Sequence, residues 1–321
     1  MITNWDELEP TRRERGHIAA EWTRLSGANS VTVGVNRVRI DPDRWSTPLH
    51  LEGSDEEIFY VLAGSGRSVQ SAGGPTEAYE VGPGDCLIHR ALEHAHTLHA
   101  GPEGLDVLVF GERHYAANTL LPNAGVSWLG PTWVLAGAEE DHPWAREAAV
   151  GPPVVEELSP RPERIVNVDD VEPVERGRGD VGSSWRDLGR AAGSERTGIK
   201  HVTVAPGHLS APPHCHSAEE ELFVVLAGSG TLELSASARG SLGYATEPEP
   251  HPVGVGSTVA RPAGTRVAHA FRAGADGLTL LAYGTRDPND IAYYPRSNKV
   301  YLRGVGVLAR VEPLDYWDGE S

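Results

Sequence analysis

The chain repeats itself at long range, and no other feature limits its fold as strongly. Residues 33–66 read VGVNRVRIDPDRWSTPLHLEGSDEEIFYVLAGSG and residues 197–230 read TGIKHVTVAPGHLSAPPHCHSAEEELFVVLAGSG; aligned without a gap at an offset of 164, 15 of these 34 positions are identical. The correspondence runs outward in both directions. Arg15-Gly16, Trp22 and Leu25 return 163 residues later as Arg178-Gly179, Trp185 and Leu188, and LDVLVFGER (105–113) echoes LTLLAYGTR (278–286). Solenoid repeats are about 20–50 residues long, so this period indicates two copies of one domain, placed at 10–130 and 173–305. A linker over 131–172 and a tail over 306–321 complete the 321 residues, in keeping with a prior of roughly 150 residues per domain.

Within each copy the pattern is β. Val33, Val35, Val38 and Ile40 suggest a strand before the Asp41-Pro42 turn. Ile58 to Leu62 and Leu222 to Leu226 are apolar runs with charge on one side and Gly-Ser-Gly on the other, which reads as strands ending in hairpin turns. Val81-Gly-Pro-Gly-Asp85 and Val253-Gly-Val-Gly-Ser257 read as tight turns feeding further strands. Many short strands at regular spacing indicate a sandwich or barrel. The linker carries Pro143, Pro152, Pro153, Pro160 and Pro162 and is expected to hold one short helix around 138–149.

Acidic residues outnumber basic ones 45 to 28, for a net charge of −17. Such a surface repels phosphate backbones and anionic lipid, so neither nucleic acid nor a membrane is an expected partner. The N-terminus lacks a basic region followed by an apolar core, and apolar runs of about six residues fall far short of the ~20 that span a bilayer. A cytoplasmic location is the expectation. Two cysteines, Cys86 and Cys215, cannot build a disulfide framework or a four-thiolate zinc site.

The chemistry is concentrated in histidines and acids. The second copy holds His214, His216, Glu221 and His269. Residues two apart on a strand face the same side, so His214 and His216 can enter one barrel together. Three imidazoles and a carboxylate suit a divalent ion such as iron, manganese, zinc, nickel or copper, and leave coordination positions for substrate, water or O₂. The bland alternative is a set of unrelated core or surface histidines, which a repeated frame with this spacing disfavours.

These residues carry a resemblance. The second copy is similar to the first cupin motif, G(x)5HxH(x)3–4E(x)6G, through His214-Cys215-His216, Glu221 and Gly228, with Gly207 one place early. It is similar to the second motif, G(x)5PxG(x)2H(x)3N, through Gly256, Pro262-Ala263-Gly264 and a histidine, His269, two residues late, without the closing asparagine. The chain thus resembles a bicupin over about two-thirds of its length. The resemblance implies an all-β fold of two double-stranded β-helix (jelly-roll) barrels joined by a Pro-rich linker, each able to enclose a metal.

The first copy departs from the pattern. It reads His50-Leu51-Glu52, then Glu57 and Gly64, with Glu52 in place of the second histidine. Arg90 and Leu92 replace the proline and glycine of the second motif. His96 aligns with His269, and His94 is its alternative on the same strand face. His50, Glu52, Glu57 and His96 would make a harder, more anionic site favouring manganese, iron or magnesium. Glu52 could equally mark a metal-free barrel kept for packing, or serve as a general base. One or two divalent ions per chain are expected.

Other residues invite plainer readings. Cys215 should point away from the metal by strand alternation, and Cys86 reads as a buried structural thiol. The acid pairs Asp55-Glu56 and Glu219-Glu220 read as solvating the turns before Glu57 and Glu221. Trp128, Trp133, Trp144 and Trp317 read as anchors for linker and tail. Phe223 and Phe271, and in the first copy Phe59 and Leu98, are expected beside the metal, with Arg261 and Arg266 placed to reach a substrate carboxylate.

The resemblance spans dioxygenases, oxalate decarboxylases and sugar isomerases. It does not choose among them; the expectation is a metal-dependent oxidoreductase of dioxygenase or decarboxylase type acting on a small polar organic molecule, with Glu221 and Glu52 as candidate catalytic residues. The alternatives are isomerase or lyase chemistry, or a storage or sensing protein without catalysis. The tail, with Tyr316-Trp317, suggests a homodimer.

Overall fold

The computed structural model describes residues 2–27, 30–114, 117–129, 132–133, 142–155, 157–237, 243–244 and 246–320, and the side chains of all of these except 128, 129, 132 and 133. The chain is all-β in two cupin barrels. It divides into two compact units, Thr3–Glu172 with Asp187–Ile199, and Met1–Ile2 with Pro173–Arg186 and Lys200–Ser321.

The first unit is built on a large antiparallel sheet. Its strands follow the order Ile165–Asn167, Asp85–His89, Glu57–Ser71, Ala95–Glu112, Val33–Ile40, Ile18–Arg24 and Thr11–Arg15, with Glu77–Val81 also paired to Glu57–Ser71. A smaller sheet sets Leu51–Glu52 beside Asn118–Leu121, Val126–Leu129 and Thr132–Trp133. Apolar residues at alternate strand positions meet inside: Phe59, Val61, Leu87, Leu98, Leu105 and Val107 form one buried cluster. Burying a side chain of this size contributes roughly 1.5–3 kcal/mol.

The second unit repeats this plan. Ser257–Arg261, Glu221–Ala236, Val267–Thr285, Thr197–Val204, Val181–Arg186 and Val174–Arg178 are neighbours in order, and Glu249–Gly254 also pairs with Glu221–Ala236. Cys215–His216 lies beside Ile291–Tyr294, Lys299–Leu302 and Val307–Arg310 in the smaller sheet. Phe223, Val225, Leu232, Val259, Phe271 and Leu280 fill the core.

Gly64-Ser65-Gly66 and Gly228-Ser229-Gly230 correct the expectation of hairpin turns. They sit inside the strands Glu57–Ser71 and Glu221–Ala236, at register shifts in the pairing with Ala95–Glu112 and Val267–Thr285. Gly64 and Gly228 have φ of 82° and 75°, and a Cβ on either would lie 2.2 Å from the carbonyl oxygen of Gly104 or Gly277. A bulge needs left-handed backbone as a turn does, and here it bends one long strand around the barrel instead of ending it.

The unit boundaries also differ from those drawn on the repeat. Asp187–Ile199 falls within the expected 173–305 domain yet packs in the first unit. There Glu56, 1% exposed, accepts hydrogen bonds from the Ser194 hydroxyl (2.7 Å), the backbone N–H of Thr197 (3.3 Å) and the Thr197 hydroxyl. Glu56 is therefore a buried anchor, and Glu219 and Glu220 are buried as well, against the expectation that these acids solvate their turns. The interval 131–172 is not a bare linker either: Ile165–Asn167 pairs with Asp85–His89. Its helix spans Pro143–Val150, started by proline at the first turn and the His142 cap; residues 138–141 of the expected helix lie outside the described residues. Trp144 on it is buried against Ile18, Trp45 and Leu121. The side chains of Trp128 and Trp133 lie outside the described residues. Trp317 is 71% exposed and stands against its neighbour Tyr316, not the anchor that was expected for the tail, while Val307–Arg310 in the expected tail forms an edge strand.

Candidate metal centres

In the second barrel, His214 is held against His269 by reciprocal backbone hydrogen bonds of 3.2 and 2.9 Å. His216, two residues on, shares its face, and Glu221 opens the next strand. The Nε2 atoms of His269, His216 and His214 lie 3.0, 3.3 and 4.0 Å from one oxygen of Glu221. His269 Nε2, His216 Nε2 and that Glu221 oxygen are buried and lack a hydrogen-bond partner of good alignment. Leaving such atoms unsatisfied is costly, so a cluster of them converging on one point is the arrangement expected of a metal site.

The opposite edges of two rings are fixed. His214 Nδ1 donates to the Pro212 carbonyl at 2.9 Å and His216 Nδ1 donates to Asp290 at 2.7 Å. Each bond places the proton on Nδ1 and turns the Nε2 lone pair toward Glu221. Asp290 is itself buried and held by the N–H groups of Ala218 (3.0 Å) and Glu219 (3.1 Å). The sequence singles out neither Asp290 nor Arg303, and reads Glu219, which pairs with Arg303 beside Asp290, only as solvating its turn. Asp290 lies 74 residues from His216 and arrives with the strand Ile291–Tyr294.

Burial and charge divide the titrations. Burial alone would lower His216, but Glu221 and Asp290 carry it up to about 10. Burial, then the neighbouring His269, takes His214 down to about 3. Burial favours the protonated form of Glu221, yet the charge of His216 and the hydrogen bonds of the imidazoles bring it well below the ordinary carboxylate value. A raised His216 thus faces a lowered Glu221 across 3.3 Å.

The first barrel brings together His50, Glu57 and His96. Glu57 receives His96 Nε2 at 3.0 Å and lies 3.7 Å from His50 Nε2. Glu52 lies 3.7 Å from His50 Nε2 and accepts from the Thr119 hydroxyl at 3.0 Å. The alternative residue His94 turns away from this group: its Nε2 faces His89 Nδ1 at 3.1 Å, and His89 stacks on His96 with centroids 3.8 Å apart. Burial would lower His50, but Glu57 and Glu52 raise it to about 9. Burial, then the charge of Glu57, raises Glu52 to about 7. His50 donates Nδ1 to the Pro48 carbonyl as His214 does to Pro212. No buried carboxylate matching Asp290 backs this group among the described residues, and its unpartnered ring atoms, His96 Nδ1 and His89 Nε2, are not those nearest Glu57.

A cavity of about 70 Å³ adjoins the second cluster. His214, Glu221 and His269 line it together with Trp185, Lys200, Ser210 and a mostly apolar remainder that includes Phe223 and Phe271. Phe223 stands edge-on to His269 at 5.4 Å, and Phe59 stands likewise to His96 at 5.5 Å. Arg261 and Arg266, expected to reach a carboxylate, do not line the cavity: Arg261 is buried and donates to the Val267 carbonyl, and Arg266 is exposed. The cation that lines it is Lys200. Cys215 is buried outside both clusters.

Residues 200–282 match the family model for the cupin domain. About nine-tenths of the chain superposes on solved structures of oxalate decarboxylases. A single-residue variant of Bacillus subtilis oxalate decarboxylase gives a TM-score of 0.61 at 16% identity, covering 91% of this chain and 79% of that one. The formate complex of Lactobacillus farciminis oxalate decarboxylase gives 0.61 at 15%, covering 91% and 88%. This chain has the two-barrel bicupin fold. No curated protein matches it in sequence, and at these identities the likeness concerns the fold. Both barrels of the bicupin present His/Glu groups with donor sets suited to a divalent ion. No described helix is long and apolar enough to cross a membrane.

Proposed function

We propose that this bicupin is a metal-dependent enzyme of decarboxylase or dioxygenase type, with its reaction centre in the second barrel and a small organic acid as substrate. The observation that carries the reading is the convergence of His216, His269 and Glu221 through buried, unsatisfied atoms beside a cavity. His214, His216, Glu221 and His269 would hold the ion. A bound divalent ion supplies a Lewis-acid centre, redox-active if it is iron or manganese. The chain's own residues do the rest. Pro212 and Asp290 orient two imidazoles, Phe223 and Phe271 exclude water, and Lys200 gives the cavity a positive charge. The decarboxylase variant of the reading is favoured by the named activity of the structural neighbours.

The first barrel is proposed as a second metal site with His50, Glu57 and His96, in which Glu52 acts as a base. A pKa of about 7 lets Glu52 take up and return a proton at neutral pH. We also propose self-association through the tail, where Leu314, Tyr316 and Trp317 are more than two-thirds exposed; light scattering of the chain and of a Trp317→Ser variant tests it.

The deciding experiment is elemental analysis after chelator-free purification, followed by a screen of organic acids for CO₂ release and O₂ uptake. One to two divalent ions per chain and metal-dependent turnover lost in His269→Ala are expected. A metal-free, inactive protein would overturn the reading.

A further inference from the structure

We infer that the second barrel selects a small monocarboxylate with an apolar body, and that Lys200 is the residue that imposes the negative charge. This deepens the proposed function and rests on its placement of the substrate in this cavity. Val202, Ala211, Phe223, Phe271, Leu280 and Ala282 make most of its wall apolar. Such a wall offers no hydrogen bonds, so each additional charged group on a ligand would lose its hydration without compensation. Apart from the His/Glu cluster, Lys200 and Ser210 are the polar side chains on the wall.

Lys200 is held in place. Its Nζ lies 4.9 Å from the centre of the Trp185 ring, a cation–π contact. The indole is fixed by a 2.8 Å hydrogen bond from Nε1 to the Ser183 hydroxyl, which donates to the Ser210 carbonyl at 2.7 Å. Trp185 thus positions the ammonium on the wall where a ligand carboxylate can meet it. At an offset of 164 the first barrel has Asn36 in this place, and the cation over the corresponding Trp22 is Arg13, on a different strand. Arg176, the counterpart of Arg13, likewise lies over Trp185, at 5.7 Å, so Lys200 is a further cation on that indole with no lysine at the matching position of the first copy. Lysine is also scarce in this chain, which has 28 basic residues but lysine only at 200 and 299.

The test uses the zinc-loaded full chain and three probes: isobutyrate, its neutral isostere isobutyramide, and oxalate, followed by saturation-transfer NMR titration. Isobutyrate should bind at least about tenfold more tightly than isobutyramide or oxalate. Lys200→Met should abolish the preference for acid over amide while leaving amide affinity within about twofold, and Lys200→Arg should restore much of it. An acid preference that persists in Lys200→Met, or oxalate binding more tightly than isobutyrate, would overturn the inference. The two claims fail separately. Lysine-dependent binding of isobutyrate without turnover of any acid sinks the proposed reaction but upholds the selection; turnover of an acid with unchanged KM in Lys200→Met does the reverse.

Discussion

At the scale of single residues, the two barrels differ most at one position. His216 and Glu52 occupy the same place in the repeat, yet His216 is backed by the Asp290 carboxylate and Glu52 by the Thr119 hydroxyl. A carboxylate behind a histidine fixes its ring and raises its basicity. Asp290→Asn should lower second-site metal affinity about 10- to 100-fold with an unchanged circular dichroism spectrum; competition against a chelator measures it. Loading also displaces a proton. His216, at about 10 without metal, is protonated at pH 8, so uptake should release close to one proton per second-barrel site. Calorimetry in buffers of different ionisation enthalpy reads that number. Affinity should rise by up to about tenfold per pH unit below pH 10. The His-x-His pair and Glu221 were legible because their spacing resembles a cupin motif, and two residues apart on extended backbone puts His214 and His216 on one face. Asp290 was not, since nothing local to an aspartate before an apolar tetrapeptide announces a partner 74 residues earlier. Lys200 was missed for a related reason: in sequence it is one charge on a strand, and only the fold shows the cavity it faces.

At the scale of elements, the long strands Glu57–Ser71 and Glu221–Ala236 carry each barrel's curvature through a glycine bulge. Gly228→Ala should cost about 3 kcal/mol or more, because a Cβ would collide with the Gly277 carbonyl and strain the positive φ. Gly64→Ala should act likewise in the first barrel. Chemical denaturation followed by tryptophan fluorescence checks both. The repeat made these glycines conspicuous, but bulge and hairpin turn demand the same backbone freedom, and only the pairing partner distinguishes them. The Cys215–His216 strand makes the complementary point. At two residues it is too short to read from periodicity, and its pairing with Ile291–Tyr294 holds the His-x-His segment in register.

For the whole molecule, charge sets the response to pH. The raised His216 contributes stability to the metal-free chain that is present below its ordinary 6.5 and is lost as pH rises through about 10. The depressed Asp290 contributes stability present above its ordinary 3.8 and lost as pH falls toward about 2. His216 and Asp290 contribute together between roughly pH 4 and 6.5, while His214, lowered to about 3, takes stability away as pH falls below its ordinary 6.5. The metal-free chain should therefore be most stable toward the upper end of that window, whereas metal-loaded protein should hold its stability to higher pH, because loading replaces the proton on His216. Thermal melts across pH, with and without added metal, test this. Two-barrel architecture and the second cluster were legible from the repeat; the exchange of Asp187–Ile199 into the first unit was not, because a repeat records ancestry of sequence and not which neighbour a segment packs against.

That exchange bears on how the protein is made. A ribosome that has released only the first 172 residues has not yet supplied Ser194 and Thr197, the hydroxyl donors to Glu56. The leading barrel lacks those donors until the segment Asp187–Ile199 has been made, and a gene cut cleanly between the repeats would leave Glu56 without them.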